Sequence, residues 1–105
     1  MNLKGDRMAD EYYIWTTSRR IKDGTQQEFE DAWQPEDFPE GMLRAYELVE
    51  DTGEIVGVSI WDSKESCEAY RASDVESERR EAMAPYVEEE RSRTYTGQEL
   101  GIPDS

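Results

Sequence analysis

The stretch Glu54–Ala72, EIVGVSIWDSKESCEAYRA, runs from a strand into a helix and shows which way the chain must fold. Ile55, Val56, Val58 and Ile60 are β-branched and suit a pleated, half-buried surface. The run ends on Trp61, and Asp62-Ser63 then supply side-chain oxygens of the kind that accept from a helix's first free N–H groups. Glu65 stands three residues after Asp62, the spacing of a capping box. A strand over 54–61 therefore passes directly into a helix, with a large aromatic at the join.

Working outward, Tyr12–Ile21 is rich in aromatic and β-branched residues and predicts a first strand, with Tyr13, Trp15 and Thr17 on one side and Ile14, Thr16 and Ser18 on the other. Asp23-Gly24 turns the chain. Thr25 with Glu28 has a second capping-box spacing, and Phe29, Ala32 and Trp33 form one apolar helix face that Pro35 terminates. Pro35–Gly41 predicts an extended loop. Met42–Val49 can alternate as a second strand, joined to the third by the Asp51-Thr52-Gly53 hairpin.

After Trp61 the helical region divides. Ser73 and Glu76 repeat the capping-box spacing, so the helix breaks near Ala72 and restarts with a sparse apolar stripe of Val75, Met83 and Val87. Pro85 kinks or ends the second piece. Ser92–Leu100 predicts the last strand. Residues 1–10 read as a disordered leader, 11–101 as one domain and 102–105 as a tail. The order βαββαβ with a tight central hairpin predicts an α+β, ferredoxin-like domain with a four-stranded antiparallel sheet. Helices then cover one sheet face only. The aromatic and aliphatic residues left on the other face call for a second copy of the chain, sheet against sheet.

Charge narrows the partners. With 26 acidic residues against 12 basic ones, the net charge is −14, a field that repels nucleic acid and anionic membranes. Cys67 is the sole cysteine, so no intrachain disulfide can form. No apolar run reaches the length of a membrane span, and the expected location is the cytoplasm. Histidine is absent from all 105 residues, which removes histidine-ligated haem and every histidine general base.

The chain resembles the dimeric α/β-barrel superfamily, nearest to its antibiotic-biosynthesis monooxygenase-like (ABM) branch. The matching elements are Pro39-Glu40-Gly41 before the second strand, the Asp51-Thr52-Gly53 hairpin, the run Ile60-Trp61-Asp62-Ser63-Lys64-Glu65, and Ala69-Tyr70 on the helix. The resemblance spans about Tyr12 to Leu100. It implies a homodimeric barrel and a cofactor-independent monooxygenase acting on a small aromatic or quinol-type substrate, held between sheet and helices. In such a pocket Trp, Tyr, Asn and Arg residues favour the deprotonated substrate, whose carbanion meets dioxygen. No metal or cofactor is implied. Asparagine occurs here only at Asn2, so an asparagine-dependent version is undercut. The alternative class is a non-catalytic small-molecule-binding or stress-related barrel.

The pocket candidates are Trp61, Tyr70, Tyr13, Trp15, Tyr46 and Arg44; no single residue stands out as catalytic. Each has a plainer role open to it. Trp61 either aims its indole N–H at a substrate oxygen or plugs the sheet edge, and Tyr70 either offers a phenol or packs. Tyr13, Trp15 and Tyr46 are pocket walls or strand packing. Phe29 and Trp33 read as core or dimer contacts. Arg44 and Arg19 bind an anionic oxygen or lie on exposed edges beside surface acids. Cys67 is a small buried residue with no base to activate it. Glu88-Glu89-Glu90 reads as a solvated helix face.

Overall fold

The computed structural model describes residues 11–34 and 38–101; the leader, the tail and the helix-stopping role given to Pro35 lie outside them. The elements run β1 (Glu11–Ile21), α1 (Gln26–Trp33), β2 (Met42–Val49), β3 (Ile55–Trp61), α2 (Lys64–Arg71), α3 (Asp74–Met83), a 3₁₀ turn (Ala84–Tyr86) and β4 (Val87–Gln98). The four strands form one antiparallel sheet in the order β2-β3-β1-β4. This is the ferredoxin-like α+β arrangement that the βαββαβ order predicts.

Register explains which side chains face the helices. Tyr13, Trp15, Thr17 and Arg19 of β1 lie opposite Trp61, Ser59, Gly57 and Ile55 of β3. Because side chains alternate across a strand, all eight share one sheet face. Buried positions alternate along β3 accordingly, with Ile55, Gly57, Ser59 and Trp61 inside. Two apolar clusters fill that side: Trp15, Trp61, Cys67 and Tyr70 near one end, and Phe29, Ile55 and Met83 near the other. Phe29 and Trp61 are wholly buried, and truncating such a side chain to alanine costs roughly 3–5 kcal/mol.

The caps differ in detail from the spacing rules. Ser63, one residue later than Asp62, caps α2, its Oγ accepting from the Ser66 N–H at 3.1 Å. Thr25 makes no side-chain cap; its hydroxyl instead donates to the Lys22 carbonyl at 2.7 Å and tightens the preceding turn. Ser73 does cap α3, accepting from the Glu76 N–H at 3.2 Å. The break before α3 thus rests on a side chain competing successfully for the backbone. Pro85 falls inside the 3₁₀ turn that ends α3.

Three sequence expectations are overturned. Val75 is exposed and Glu76 takes the buried position on α3 with Met83, its carboxylate paired with Arg79 and Arg80. The strand β4 starts at Val87, so Glu88, Glu89 and Glu90 are strand residues rather than a helix face. Arg19 stands on the central strand β1 and is buried. Its Nε donates to Glu90 Oε2 at 2.7 Å and its Nη1 to Thr17 Oγ1 at 3.0 Å, the pairing that makes a buried guanidinium tolerable.

Gly41 locks the second strand to the start of α2. Its carbonyl accepts from the Asp62 N–H at 2.9 Å, its φ is +92°, and a Cβ there would come within 2.5 Å of Ser66 Cβ. Both the left-handed backbone and the close approach demand glycine. Gly41→Ala is expected to destabilise the fold by about 2–3 kcal/mol, read as a lowered urea midpoint with an unchanged slope.

Candidate active site

Between the sheet and the helices lies an open cavity of about 290 Å³. Its sheet side is formed by Trp15 and Thr17 of β1, Ala45 and Glu47 of β2, and Gly57 and Ser59 of β3. Across from these stand Trp33 of α1, Tyr70 of α2 and Arg79 of α3, with Phe38 and Met42 closing one end. One stretch of the wall, at Gly57, lacks a side chain. A Cβ on Gly57 would lie 3.3 Å from Trp33 Cζ2 and 3.0 Å from Thr17 Oγ1, so glycine lets the indole approach the sheet.

Of the six residues nominated from sequence, Trp15, Tyr46 and Tyr70 line this cavity and three do not. Trp61 is fully buried beneath it, its indole N–H donating to Ser59 Oγ at 2.8 Å and its ring 5.7 Å from that of Tyr70. Tyr13 packs against the same cluster. Arg44 pairs with Ile60 and borders a hollow with Tyr12, Leu43 and Glu99. Register puts Tyr46 with Val58, on the pleat facing away from the helices, so it contributes at the rim.

Most polar groups in the wall are already committed. Trp15 Nε1 donates to Ser92 Oγ at 2.7 Å, Ser59 Oγ donates to the Trp15 carbonyl at 3.2 Å, and Thr17 Oγ1 accepts from Arg19. Arg79 is the contrast. Its side chain is 14% exposed, its guanidinium carbon stands 6.0 Å from the Trp33 ring centre, and its Nη1 lies 3.4 Å from Glu76 Oε1. Neither Nε nor Nη1 has a hydrogen-bond partner among the described residues, and nor has Glu76 Oε1. Glu76 is wholly buried between Arg79 and Arg80, the latter's Nε at 3.2 Å from Oε2. Arg79 thus borders the cavity with its guanidinium held by a buried carboxylate.

Two groups on these walls titrate away from their ordinary values. Burial raises the Tyr70 phenol; Arg79 pulls it back down and Glu76 reinforces the rise. Partial burial raises the Glu47 carboxyl, and the neighbouring Glu30 carboxyl on α1 raises it further. Arg79, Glu76, Glu47 and Trp33 were not nominated as pocket residues from sequence. The Ser73/Glu76 spacing pointed at Glu76 only as a cap, and the abundance of acids hid Glu47 among 26 candidates.

Comparison with solved structures gives the fold its relatives. A "Putative Antibiotic Biosythesis Monooxygenase" from Bacillus cereus matches at 18% identity, covering 88% of this chain and 98% of its own, with a TM-score of 0.67. One of the same description from Nitrosomonas europaea matches at 17% identity, covering 81% and 97%, with a TM-score of 0.70. SnoaB, a cofactor-independent oxygenase from Streptomyces nogalater, matches at 17% identity, covering 91% and 100%, with a TM-score of 0.67. No protein-family model and no curated protein matches the sequence. The domain is a ferredoxin-like sandwich with an aromatic cavity under its helices. Its fold is shared with these solved structures, whose names agree with the resemblance read from the sequence.

Cys67, below the cavity in the Trp15/Trp61 cluster, is fully buried. Burial pushes its thiol from 9.0 up to about 11, against a smaller lowering by Arg71. The folded chain therefore keeps this proton at pH values where the unfolded chain has lost it. Stability from this group is complete below pH 9 and drains away as pH rises toward 11, on the order of 2 kcal/mol. Urea titrations of wild type and Cys67→Ala between pH 8 and 11 should show the wild type losing its advantage across that window. A thiol reagent should leave native Cys67 unmodified at pH 8.

Proposed function

We propose that this chain is a cofactor-independent monooxygenase of small aromatic or quinol-type substrates. The observation that carries the reading is the meeting of aromatic walls (Trp15, Trp33, Tyr70) and the guanidinium of Arg79 in one open cavity. A flat hydroxyaromatic fits such walls, and the guanidinium favours its oxygen as an anion. The fold shared with SnoaB supports the same chemistry.

The balanced reaction is R₂CH₂ + O₂ → R₂C=O + H₂O. Loss of one methylene proton leaves an electron pair on the ring system, delocalised onto the oxygen beside Arg79. One electron passes to dioxygen, and the resulting pair joins through a C–O bond as a peroxide. Loss of the remaining C–H proton and cleavage of the O–O bond then give the carbonyl and water. The residues supply orientation and charge stabilisation, and the substrate itself supplies the electrons. With anthrone in an oxygen electrode, wild type should consume oxygen. Arg79→Gln should lower kcat/KM by about 100-fold, the scale of one lost oxyanion donor, while Arg79→Lys retains an intermediate rate. Binding of anthrone without oxygen uptake would replace the reading with a non-catalytic small-molecule-binding barrel.

The same reading includes a homodimer joined through the outward sheet faces. That face carries Ile14, Tyr46, Leu48, Val58, Ile60 and Tyr95, with Tyr46, Leu48 and Tyr95 each about half exposed in the single chain. Arg91 and Arg93 border it. Sedimentation at micromolar concentration should show a dimer that Leu48→Glu dissociates. Because each copy carries −14, association should weaken as salt is withdrawn. A wild-type monomer in moderate salt would count against this assembly.

A further inference from the structure

We propose that Glu47 is the catalytic base of the cavity, accepting the proton that the bound aromatic must lose. The inference rests on the oxygenase reading and supplies the group that reading lacks. The reaction begins with a C–H or O–H proton leaving, and a chain without histidine must find another acceptor.

The other titratable groups near the cavity are unsuited. Tyr70 holds its phenolic proton more firmly than a free tyrosine, so it is neutral at pH 7. Cys67 is buried beneath the wall, with a thiol pushed up to about 11. Glu76 is closed off from solvent and held by Arg79 and Arg80. Among the described lining residues Glu47 is the one carboxylate. It stands on β2 opposite Gly57, where no side chain intervenes between it and the cavity floor.

Its surroundings suit the task. Partial burial, and then the neighbouring Glu30 carboxyl on α1, make Glu47 bind a proton more tightly than an isolated glutamate. From α3, Arg79 faces the cavity, and from α2 Tyr70 does so in neutral form; Thr17 on β1 and Tyr46 on its own strand complete the surroundings. Glu47 is exposed along its outer edge, so a captured proton escapes to water and the base resets. In the step itself the substrate's C–H bond breaks. Its electron pair stays on the ring as an enolate facing Arg79, and the proton forms a carboxylic acid on Glu47. Nothing is oxidised until dioxygen arrives.

Proton abstraction can be read without oxygenation. Anthrone in deuterated buffer under nitrogen exchanges its methylene protons each time a base removes one, and proton NMR follows the loss of signal. Wild type should accelerate the exchange. Glu47→Gln should reduce the enzymatic rate by about 100-fold or more, the low end of general-base contributions, and Glu47→Asp should retain a measurable part of it. Glu30→Gln should keep the plateau rate but move its acid limb to lower pH, since the Glu30 carboxyl no longer raises Glu47. A merely structural role for Glu30 would not move that limb. Exchange by a folded Glu47→Gln protein at the wild-type rate, or no exchange by wild type, would overturn the assignment. Oxygen uptake by wild type in that second case would leave the oxygenase reading standing with another base. Exchange that depends on Glu47 without any oxygen uptake in air would keep the base and remove the oxygenase.

Discussion

Two indole N–H groups decide what the helix-facing side of this sheet can offer. Trp61 donates to the Ser59 hydroxyl, Ser59 donates to the Trp15 carbonyl, and Trp15 donates to the Ser92 hydroxyl. The chain of bonds crosses β3, β1 and β4. An unsatisfied buried donor costs about 1–3 kcal/mol, so two tryptophans this deep are tolerable only because each N–H is matched. Their bulk then sets the floor height beneath the helices. Since the indoles and both hydroxyls are spent on the sheet, the polar chemistry of the cavity falls to groups arriving from elsewhere, Arg79 from a helix and Glu47 from the edge strand.

The architecture was legible because periodicity and turn residues speak locally. Met42–Val49 alternates and is β2 to the residue, and the division of the second helix at Ala72 follows from one serine hydroxyl. What failed were the places where tertiary packing outweighs a local rule. Two capping-box spacings out of three do not cap as spaced, because Thr25 finds a nearer carbonyl and Ser63 lies better placed than Asp62. Val75 and Glu76 exchanged their expected surroundings, since an adjacent pair of arginines compensates a buried carboxylate more fully than hydropathy suggests.

The cavity was less legible than the fold, for a geometric reason. Its walls come from seven separate segments, and its polar members are acids and arginines in a chain where 36% of residues are charged. Composition gives no reason to choose Glu47 over its neighbours on the edge strand; only its register opposite Gly57, on the cavity wall, does. Aromatic residues were easier to nominate, yet half of those reasons were packing reasons. Trp61, the residue at the strand-to-helix join, sits under the site as its foundation and has its N–H committed.

Gly57 gives the domain an adjustable dimension. The gap between its Cα and the Trp33 ring is narrower than one methyl group accommodates without a shift. A single added carbon would require the Thr17 hydroxyl and the indole to give by a few tenths of an ångström and so reshape the space. Descendants of such a domain can therefore drift among guests of different breadth by changing one small residue and its aromatic neighbour, without rebuilding the scaffold. In a fold whose relatives share under one residue in five with this chain, that is a physical route by which one framework diversifies.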